Sequence, residues 1–306
     1  MHVTRRTLLE SLLGVASGPG MSTVLRATDL PARLEIGKAT IDVSFESDEF
    51  DLERAALLDW VTQSARAVTA YFGRFPVTHA RVRILLSQRG RISNGMSFGE
   101  SGARCRISVG QHATMVDLDD DWELTHEMVH FGFPSVEDRH RWIEEGIATY
   151  LEPIARAQVG RLTAEQVWGG MVRGMPQGLP QAGDQGLDNT HTWGRTYWGG
   201  AIFCLLADIE IRKRTGNAKG LQDALRAINR VGGTIEANWP IERAIEVGDQ
   251  ATHGKTLMEL YSRMASKPVA VDLPDVWKQL GVIRGDHRVT FDNRAALASI
   301  RASIVV

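Results

Sequence analysis

The 306-residue chain is short of cysteine, of net charge and of long apolar runs, and each shortage argues against a class of protein. Its two cysteines, Cys105 and Cys204, cannot build a disulfide framework, and we favour two buried, unreactive thiols over a single disulfide. A formal net charge of -2 without a long basic run argues against a nucleic-acid partner. Beyond the N-terminus no stretch approaches the roughly 18 apolar residues of a membrane-spanning helix, so we expect no stable span in the mature chain.

The N-terminal segment differs in composition from the rest of the chain. Arg5 and Arg6 precede a moderately apolar stretch rich in Leu, Ala and Gly. A charged start followed by a short apolar stretch is typical of an export signal, and "TRRTLL" resembles the twin-arginine type. We therefore predict an export signal over residues 1–27 and a periplasmic or extracellular mature protein. The alternative is an N-terminal arm, disordered or helical, without a targeting role.

The sequence is 43% hydrophobic. After residue 27, its pattern of apolar residues predicts strands first and helices second. This order favours an α+β fold over a wound parallel sheet. Residues 28–160 carry the strand patterns and the first helices, and residues 161–306 are mostly helical. The segment "ATMV" (113–116) predicts a short strand, and residues 117–133 predict one helix with aspartates at its N-terminus. Residues 173–192, rich in Gly, Pro and Gln, predict a long loop.

The segment "DWELTHEMVHFGF" carries two histidines four residues apart, His126 and His130. On a helix this spacing places both imidazoles on one face, where they can reach a single metal ion. Neutral imidazoles suit Zn²⁺, and Glu127 is near enough to act on water without filling a coordination site. The alternative is a helix in which the two histidines occur by chance.

A catalytic zinc site requires a third protein ligand, and the residues alone leave its identity open. Glu144 and Glu145 both lie in "RHRWIEEGIATYLE", residues 139–152, which predicts a second helix. His140 is also close in sequence, but it stands at the start of that helix and is less well placed.

Together, "HEMVH" and "WIEEGIATYLE" resemble the gluzincin metallopeptidases, the peptidase MA-like group that includes alanyl and glycyl aminopeptidases. The second motif matches the family's pattern at six positions: Trp142, Glu145, Gly146, Ala148, Tyr150 and Glu152. Glu144 stands where the family often has Asn, and the fourteen residues between His130 and Glu145 are fewer than in the aminopeptidases. The resemblance implies a thermolysin-like catalytic domain with an edge strand over the active-site helix. It also implies Glu145 as third zinc ligand and Gly146 as a small residue where the two zinc-binding helices pack closely.

A third stretch, "RTYWGGAIFCLLADIEIRKRTG", is similar to the family's helix after the zinc site. By this resemblance Tyr197 stabilises the oxyanion of the tetrahedral intermediate, as phenol donors do in other enzymes; the alternative is an aromatic that packs between helices. Asp208 and Arg212, four residues apart, predict a structural ion pair. His191 precedes this stretch, and we favour a solvated loop histidine over a substrate contact.

The two histidines and the resemblance together imply a zinc-dependent peptide-bond hydrolase with one Zn²⁺ held by His126, His130 and Glu145. Glu127 serves as general base on a zinc-activated water, and the C-terminal helices close the cleft over a peptide or protein substrate. Aminopeptidase and endopeptidase action both stay open, because "NGMSFGES" lacks the Glu-Asn pair with which alanyl aminopeptidases hold a free amine; Glu100 is a weak substitute. The rivals are a non-catalytic zinc- or peptide-binding exported protein and an exported structural protein without metal.

Overall fold

The strand-rich part of the chain forms one five-stranded mixed sheet. The computed structural model describes residues 31–88, 90–286 and 288–306, so the predicted export signal lies outside the described residues. The strands of the sheet are β1 (Ala32–Ile36), β2 (Ala39–Phe45), β3 (His79–Ser87), β4 (Ile92–Phe98) and β5 (Ala103–Gly110). Their order is β1-β2-β3-β5-β4; the β2–β3 and β3–β5 pairs are parallel and the other two are antiparallel. β4 is therefore an edge strand.

The sheet follows from a period of two in the sequence. Along β3, Ala80, Val82 and Ile84 are buried, whereas Arg81 and Arg83 between them are exposed. Successive side chains of a strand point to opposite faces, so this alternation gives the sheet one apolar face for the core.

Helices form most of the rest of the molecule. They are α1 (Arg54–Phe72), α2 (Met115–Asp120), α3 (Glu123–Val129), α4 (Arg141–Gln158), α5 (Ala164–Gly174), α6 (Gly200–Arg214), α7 (Leu221–Arg230), α8 (Ile241–Ala251), α9 (Thr256–Met264), α10 (Leu273–Leu280) and α11 (Ala298–Ile304). A short hairpin, β6 (Val282–Arg284) with β7 (Val289–Phe291), lies between the last two helices. Helix α4 packs against α1, α3 and α6, so it lies at the centre of the helical part. The α+β prediction is confirmed.

The predicted helix over residues 117–133 is wrong in its continuity. The helix is interrupted between α2 and α3 because the Asp121 carboxylate accepts hydrogen bonds from the backbone N–H groups of Glu123 and Leu124. Such a carboxylate satisfies free donors at a helix start and is favoured there by the helix dipole. A new helix therefore begins immediately before the two histidines.

The predicted strand "ATMV" is also wrong. Thr114 and Asp117 form a capping box in which the Thr114 hydroxyl accepts from the Asp117 N–H and the Asp117 carboxylate accepts from the Thr114 N–H. This box starts a helix, so Met115 and Val116 lie in the first turn of α2.

The predicted loop over residues 173–192 contains the end of α5 and a 3₁₀ turn, Met175–Gly178. The N–H groups of Leu187 and Asp188 donate to the carbonyls of Met264 and Ala265, which ties the loop to the end of α9. Cys105 and Cys204 are both buried and free, which confirms the preferred interpretation of two thiols. Within the described ranges, no helix combines the length and apolarity that crossing a bilayer requires.

Candidate metal centre

Helix α3 and the turn after it place the two histidines side by side. His126 lies on α3, and His130 begins the 3₁₀ turn His130–Gly132 directly after it. Their ring centroids are 5.1 Å apart, as the four-residue spacing predicts for one helical face. His126 is only 3% exposed, so its ring is held away from bulk water.

Helix α4 brings Glu145 to both imidazoles. Its Oε2 lies 3.3 Å from Nε2 of His126 and 3.6 Å from Nε2 of His130. The three ligand atoms all lie within 4.8 Å of one another. The other carboxylate oxygen, Oε1, accepts hydrogen bonds from Nε and Nη2 of Arg141, one turn earlier on the same helix. Arg141 therefore fixes the carboxylate with Oε2 turned toward the histidines.

The charges of this cluster depend on the protonation of His126, His130 and Glu145. Burial lowers the pKa of His126, and Nδ1 of this ring is buried with no hydrogen-bond partner among the described residues. Burial acts against ionisation of Glu145 as well, yet the hydrogen bonds with His126 and His130 hold the pKa of this carboxyl well below its ordinary value. For His130 the opposing effect of burial is outweighed by the hydrogen bond with Glu145, which raises its pKa to about 9.

This donor set fits a zinc ion. Two imidazoles and one carboxylate are a ligand combination of catalytic zinc sites, which keep a further position open. Each group offers a lone pair once the proton on His130 is removed, and metal binding displaces such protons. Binding of one divalent cation would therefore release the proton that His130 and Glu145 share.

The alternative ligands are engaged elsewhere. Glu144 accepts a hydrogen bond from the backbone N–H of Val136 at 2.9 Å. His140 has Nδ1 2.9 Å from the Asp188 carboxylate and Nε2 3.0 Å from Nε of Arg139. Of the two adjacent glutamates, Glu145 is the one whose carboxylate faces both imidazoles.

The edge strand β4 lies against the helix that carries Glu127. The Ser97 hydroxyl donates to the Glu127 carbonyl at 2.8 Å, and the Gly95 N–H donates to the Glu123 carboxylate at 3.3 Å. A Cβ on Gly95 would lie 2.7 Å from Cγ of Glu127, so glycine here makes room for the glutamate side chain. Glu127, His130 and Glu145 share one cavity of about 710 Å³ with β4. The predicted edge strand over the active-site helix is confirmed.

Tyr197 lines the same cavity as β4, Glu127 and Glu145. It lies in a π-helical turn, Arg195–Gly199, that leads into α6. Its ring stacks on His126, with centroids 6.1 Å apart and planes at 24°. Burial, and next the negative charge of Glu145, raise the pKa of the phenol. His191, by contrast, is exposed, as expected for a solvated loop residue.

The expected close packing at Gly146 occurs, but with a different helix. A Cβ on Gly146 would lie 2.3 Å from the backbone of Gly200, the first residue of α6, and its three nearest atoms all belong to that residue. The prediction that Gly146 lets the two zinc-binding helices approach each other is therefore wrong. Small residues at this crossing instead bring α6, and with it Tyr197, close to α4.

Sequence reasoning missed two features of the centre. Arg141 precedes Glu145 by four residues on a predicted helix, so this contact was available from spacing alone. The two aromatic pairs are also four residues apart: Trp122 meets His126 edge-on at 5.4 Å, and Trp193 stacks on Tyr197 at 5.6 Å. The first pair lies within the predicted helix 117–133 and was available from spacing as well, whereas Trp193 directly follows the predicted loop.

Known proteins share the fold of this chain at low sequence identity. No known family profile and no curated protein matches it. An aminopeptidase N family protein from Idiomarina loihiensis superimposes with a TM-score of 0.61 at 11% identity, over 82% of this chain and 49% of that one. An M1 zinc metallopeptidase from Deinococcus radiodurans gives a TM-score of 0.49 at 14% identity, over 80% and 52% of the two chains, and adds nothing to the fold assignment. The chain spans about half the length of these proteins and has the fold of the first.

Proposed function

We propose that this protein is a zinc-dependent peptide-bond hydrolase with one zinc ion held by His126, His130 and Glu145. The observation that carries the proposal is the convergence of three ligand atoms within 4.8 Å, two of whose residues, His130 and Glu145, line one cavity with Glu127. When bound, zinc supplies Lewis-acid chemistry that polarises a carbonyl group and lowers the pKa of water.

The side chains around the ligands have complementary roles in this proposal. Glu127 accepts a proton from the attacking water and delivers it to the leaving amine, which is general acid–base catalysis. Tyr197 donates a hydrogen bond to the oxygen that becomes negative in the transition state. Its raised pKa keeps the phenol protonated at neutral pH, as a donor must be.

The substrate of this hydrolase is a peptide or protein. An extended peptide can pair with the outer side of β4, as peptides do with exposed sheet edges in other proteins. This strand is irregular, since its pairing with β5 shifts register between Ser93 and Met96 and Asn94 has a φ of 57°. Bulges of this kind redirect side chains beside functional sites. Export by the predicted N-terminal signal would place this activity outside the cytoplasm.

The general-base role is tested by Glu127→Gln. We expect the variant to bind the same number of zinc ions per chain as the wild type, because Glu127 is not a ligand. Peptide cleavage should fall about 10²- to 10⁴-fold, the usual contribution of a positioned acid–base group. Metal analysis and a peptide-library digest with and without chelator measure the two quantities.

Glu144→Gln is the matched control, with the same chemical change in the same cavity. Its amide oxygen still accepts the Val136 N–H, so both zinc content and cleavage should stay within about threefold of the wild type. A Glu127→Gln protein that cleaves as fast as the wild type would overturn the proposal, as would a purified wild type that binds no zinc.

A further inference from the structure

A second cavity adjoins the metal centre and shares Tyr197 with the cavity along β4. It has a volume of about 310 Å³ and mainly apolar walls that include Trp122, Trp193, Trp198, Val167 and Met171; we name it the tryptophan pocket. His126 and Tyr197 also line it, so it adjoins the residues that the proposed reaction uses.

Two of the tryptophans are exposed to solvent beside these shared residues. Trp122 is 49% exposed and Trp193 is 59% exposed. Large apolar side chains grouped at one opening are typical of a surface that binds a partner or ligand. Because Trp193 stacks on Tyr197 and Trp122 contacts His126, both indoles are held in place by residues of the centre itself.

The charge of the pocket favours an uncharged occupant. Glu152 is an acid in its wall, and its carboxylate is paired with Arg156 at 2.9 Å. The cavity along β4, in contrast, contains Glu100, Glu127, Glu144 and Glu145. Glu145 is paired with Arg141, but no ion pair involves Glu100, Glu127 or Glu144 among the described residues. A cationic side chain is therefore favoured on the β4 side over the tryptophan pocket.

The volume sets the size of the occupant. An apolar cavity of about 150 Å³ is enough to hold benzene, so about 310 Å³ accommodates one phenyl, phenol or indole group with its linking carbon. Aromatic rings gain further stabilisation from edge-on or offset contact with the surrounding indoles.

We propose that the tryptophan pocket binds one aromatic side chain of the peptide substrate, from a residue that adjoins the scissile bond. This inference rests on the proposed function, because the pocket is placed relative to the zinc ligands. It assigns the substrate class as peptides with Phe, Tyr or Trp next to the bond that is cut.

Gly170 provides a direct way to fill the pocket. It lies on α5 and lines the cavity, and a Cβ built on it meets nothing within 4 Å among the described residues. Gly170→Leu therefore places a bulky group in the pocket without touching His126, His130 or Glu145. Gly170→Ala adds a single methyl group and serves as the conservative variant.

The experiment uses the zinc-loaded full chain. A peptide-library digest, with and without chelator, first identifies the residues on either side of the cut bond. Two peptides that differ only in Phe or Ala at the selected position then give a ratio of kcat/KM values. We expect Gly170→Leu to lower the Phe-to-Ala ratio about 10- to 200-fold, the range for altered apolar pocket contacts, and Gly170→Ala to lower it less.

Glu165→Leu is the matched control, since it adds the same side chain at an exposed position of the same helix; its ratio should equal that of the wild type. Calorimetric binding of the uncut peptides to zinc-loaded Glu127→Gln, alone and combined with Gly170→Leu, gives a readout independent of turnover. The Phe peptide should bind more tightly than the Ala peptide, and Gly170→Leu should remove the difference.

The outcomes separate the two proposals. Chelator-sensitive cleavage without aromatic residues beside the cut bond overturns the tryptophan pocket alone. An unchanged Phe-to-Ala ratio in a Gly170→Leu protein that still binds zinc does the same. A library with no chelator-sensitive cleavage overturns the hydrolase proposal and this inference with it.

Discussion

Two buried carboxylates on neighbouring helices, Glu145 of α4 and Asp208 of α6, differ in the groups that satisfy them. Asp208 accepts hydrogen bonds from the Tyr150 hydroxyl at 3.0 Å, Nε of Arg212 at 2.8 Å and the Leu221 N–H at 3.0 Å. All three donors keep their protons at neutral pH, because burial further raises the pKa of Tyr150 and arginine stays charged.

Glu145 faces two titratable imidazoles instead. Its arginine partner, Arg141, has a side chain that is 66% exposed, whereas that of Arg212 is 10% exposed. Permanent donors around a carboxylate make a closed structural network. Exchangeable donors make a cluster that can give up a proton for a metal, and here they include a ring nitrogen, Nδ1 of His126, with no partner in the described part of the chain. The two clusters should therefore respond differently to equivalent substitutions.

The largest expected effect is on stability, from Asp208→Asn. This change removes the negative charge and leaves the buried Arg212 guanidinium uncompensated. Breaking a buried ion pair in this way costs about 3–5 kcal/mol, and we expect that decrease in the free energy of unfolding by urea. Zinc affinity should stay within about threefold of the wild type, because the network shares no ligand with the centre.

Glu210→Gln on the same helix is the control. Its pair with Lys213 is exposed on both sides, so the free energy of unfolding should change by less than about 1 kcal/mol. If Asp208→Asn instead lost zinc without a loss of stability, the division between a structural and a functional cluster would be wrong.

For Glu145→Gln the main effect is expected on zinc affinity. One ligand of roughly four contributes about a quarter of a zinc-binding free energy of about 10–16 kcal/mol, so affinity should fall about a hundredfold to a thousandfold. The metal-free variant keeps the shape of the side chain but loses the charge that holds the proton on His130, so its free energy of unfolding near pH 7 should fall by about 2–3 kcal/mol, less than that of Asp208→Asn. Equilibrium dialysis and urea unfolding with chelator measure these values. Unchanged zinc affinity would remove Glu145 from the ligand set.

Local spacing explains which parts of both clusters were predictable. His126 with His130, and Asp208 with Arg212, are four residues apart on one helix, so geometry within the helix decides each contact. Tyr150 reaches Asp208 across 58 residues of sequence, and no local rule predicts such a partner. The choice between Glu144 and Glu145 likewise depends on how two helices cross, and the family resemblance indicated Glu145 where the residues alone left both open.

The errors in the fold have two origins, one local and one between helices. Apolar spacing runs on through residues 117–133, but the Asp121 carboxylate bonds to the backbone and restarts the helix. Gly146 was expected to pack within the zinc-binding pair, whereas the approach of α6 decides its contact. Helix α10 also has local boundary signals: Asp272 accepts the Asp275 N–H at its start, and Gly281 closes it in a left-handed conformation. Capping chemistry therefore carried more information than periodicity at these boundaries.

The smallest expected effect is the pH dependence of zinc binding. Burial opposes a charge on His130, but the hydrogen bond with Glu145 outweighs it and raises the pKa to about 9. The bound proton stabilises the metal-free protein fully below about pH 6.5, and this stabilisation is lost as pH rises through about 9. Zinc must displace the proton, so its affinity should increase about tenfold per pH unit between about pH 7 and 9. Calorimetry in buffers of different ionisation enthalpy should detect about one released proton per zinc near pH 7.

Asp208→Asn should show the same increase of zinc affinity with pH, because none of its partners exchanges a proton in this range. An affinity that stays flat with pH would mean that His130 and Glu145 do not share a proton, and the contrast with the closed Asp208 network would lose its physical basis.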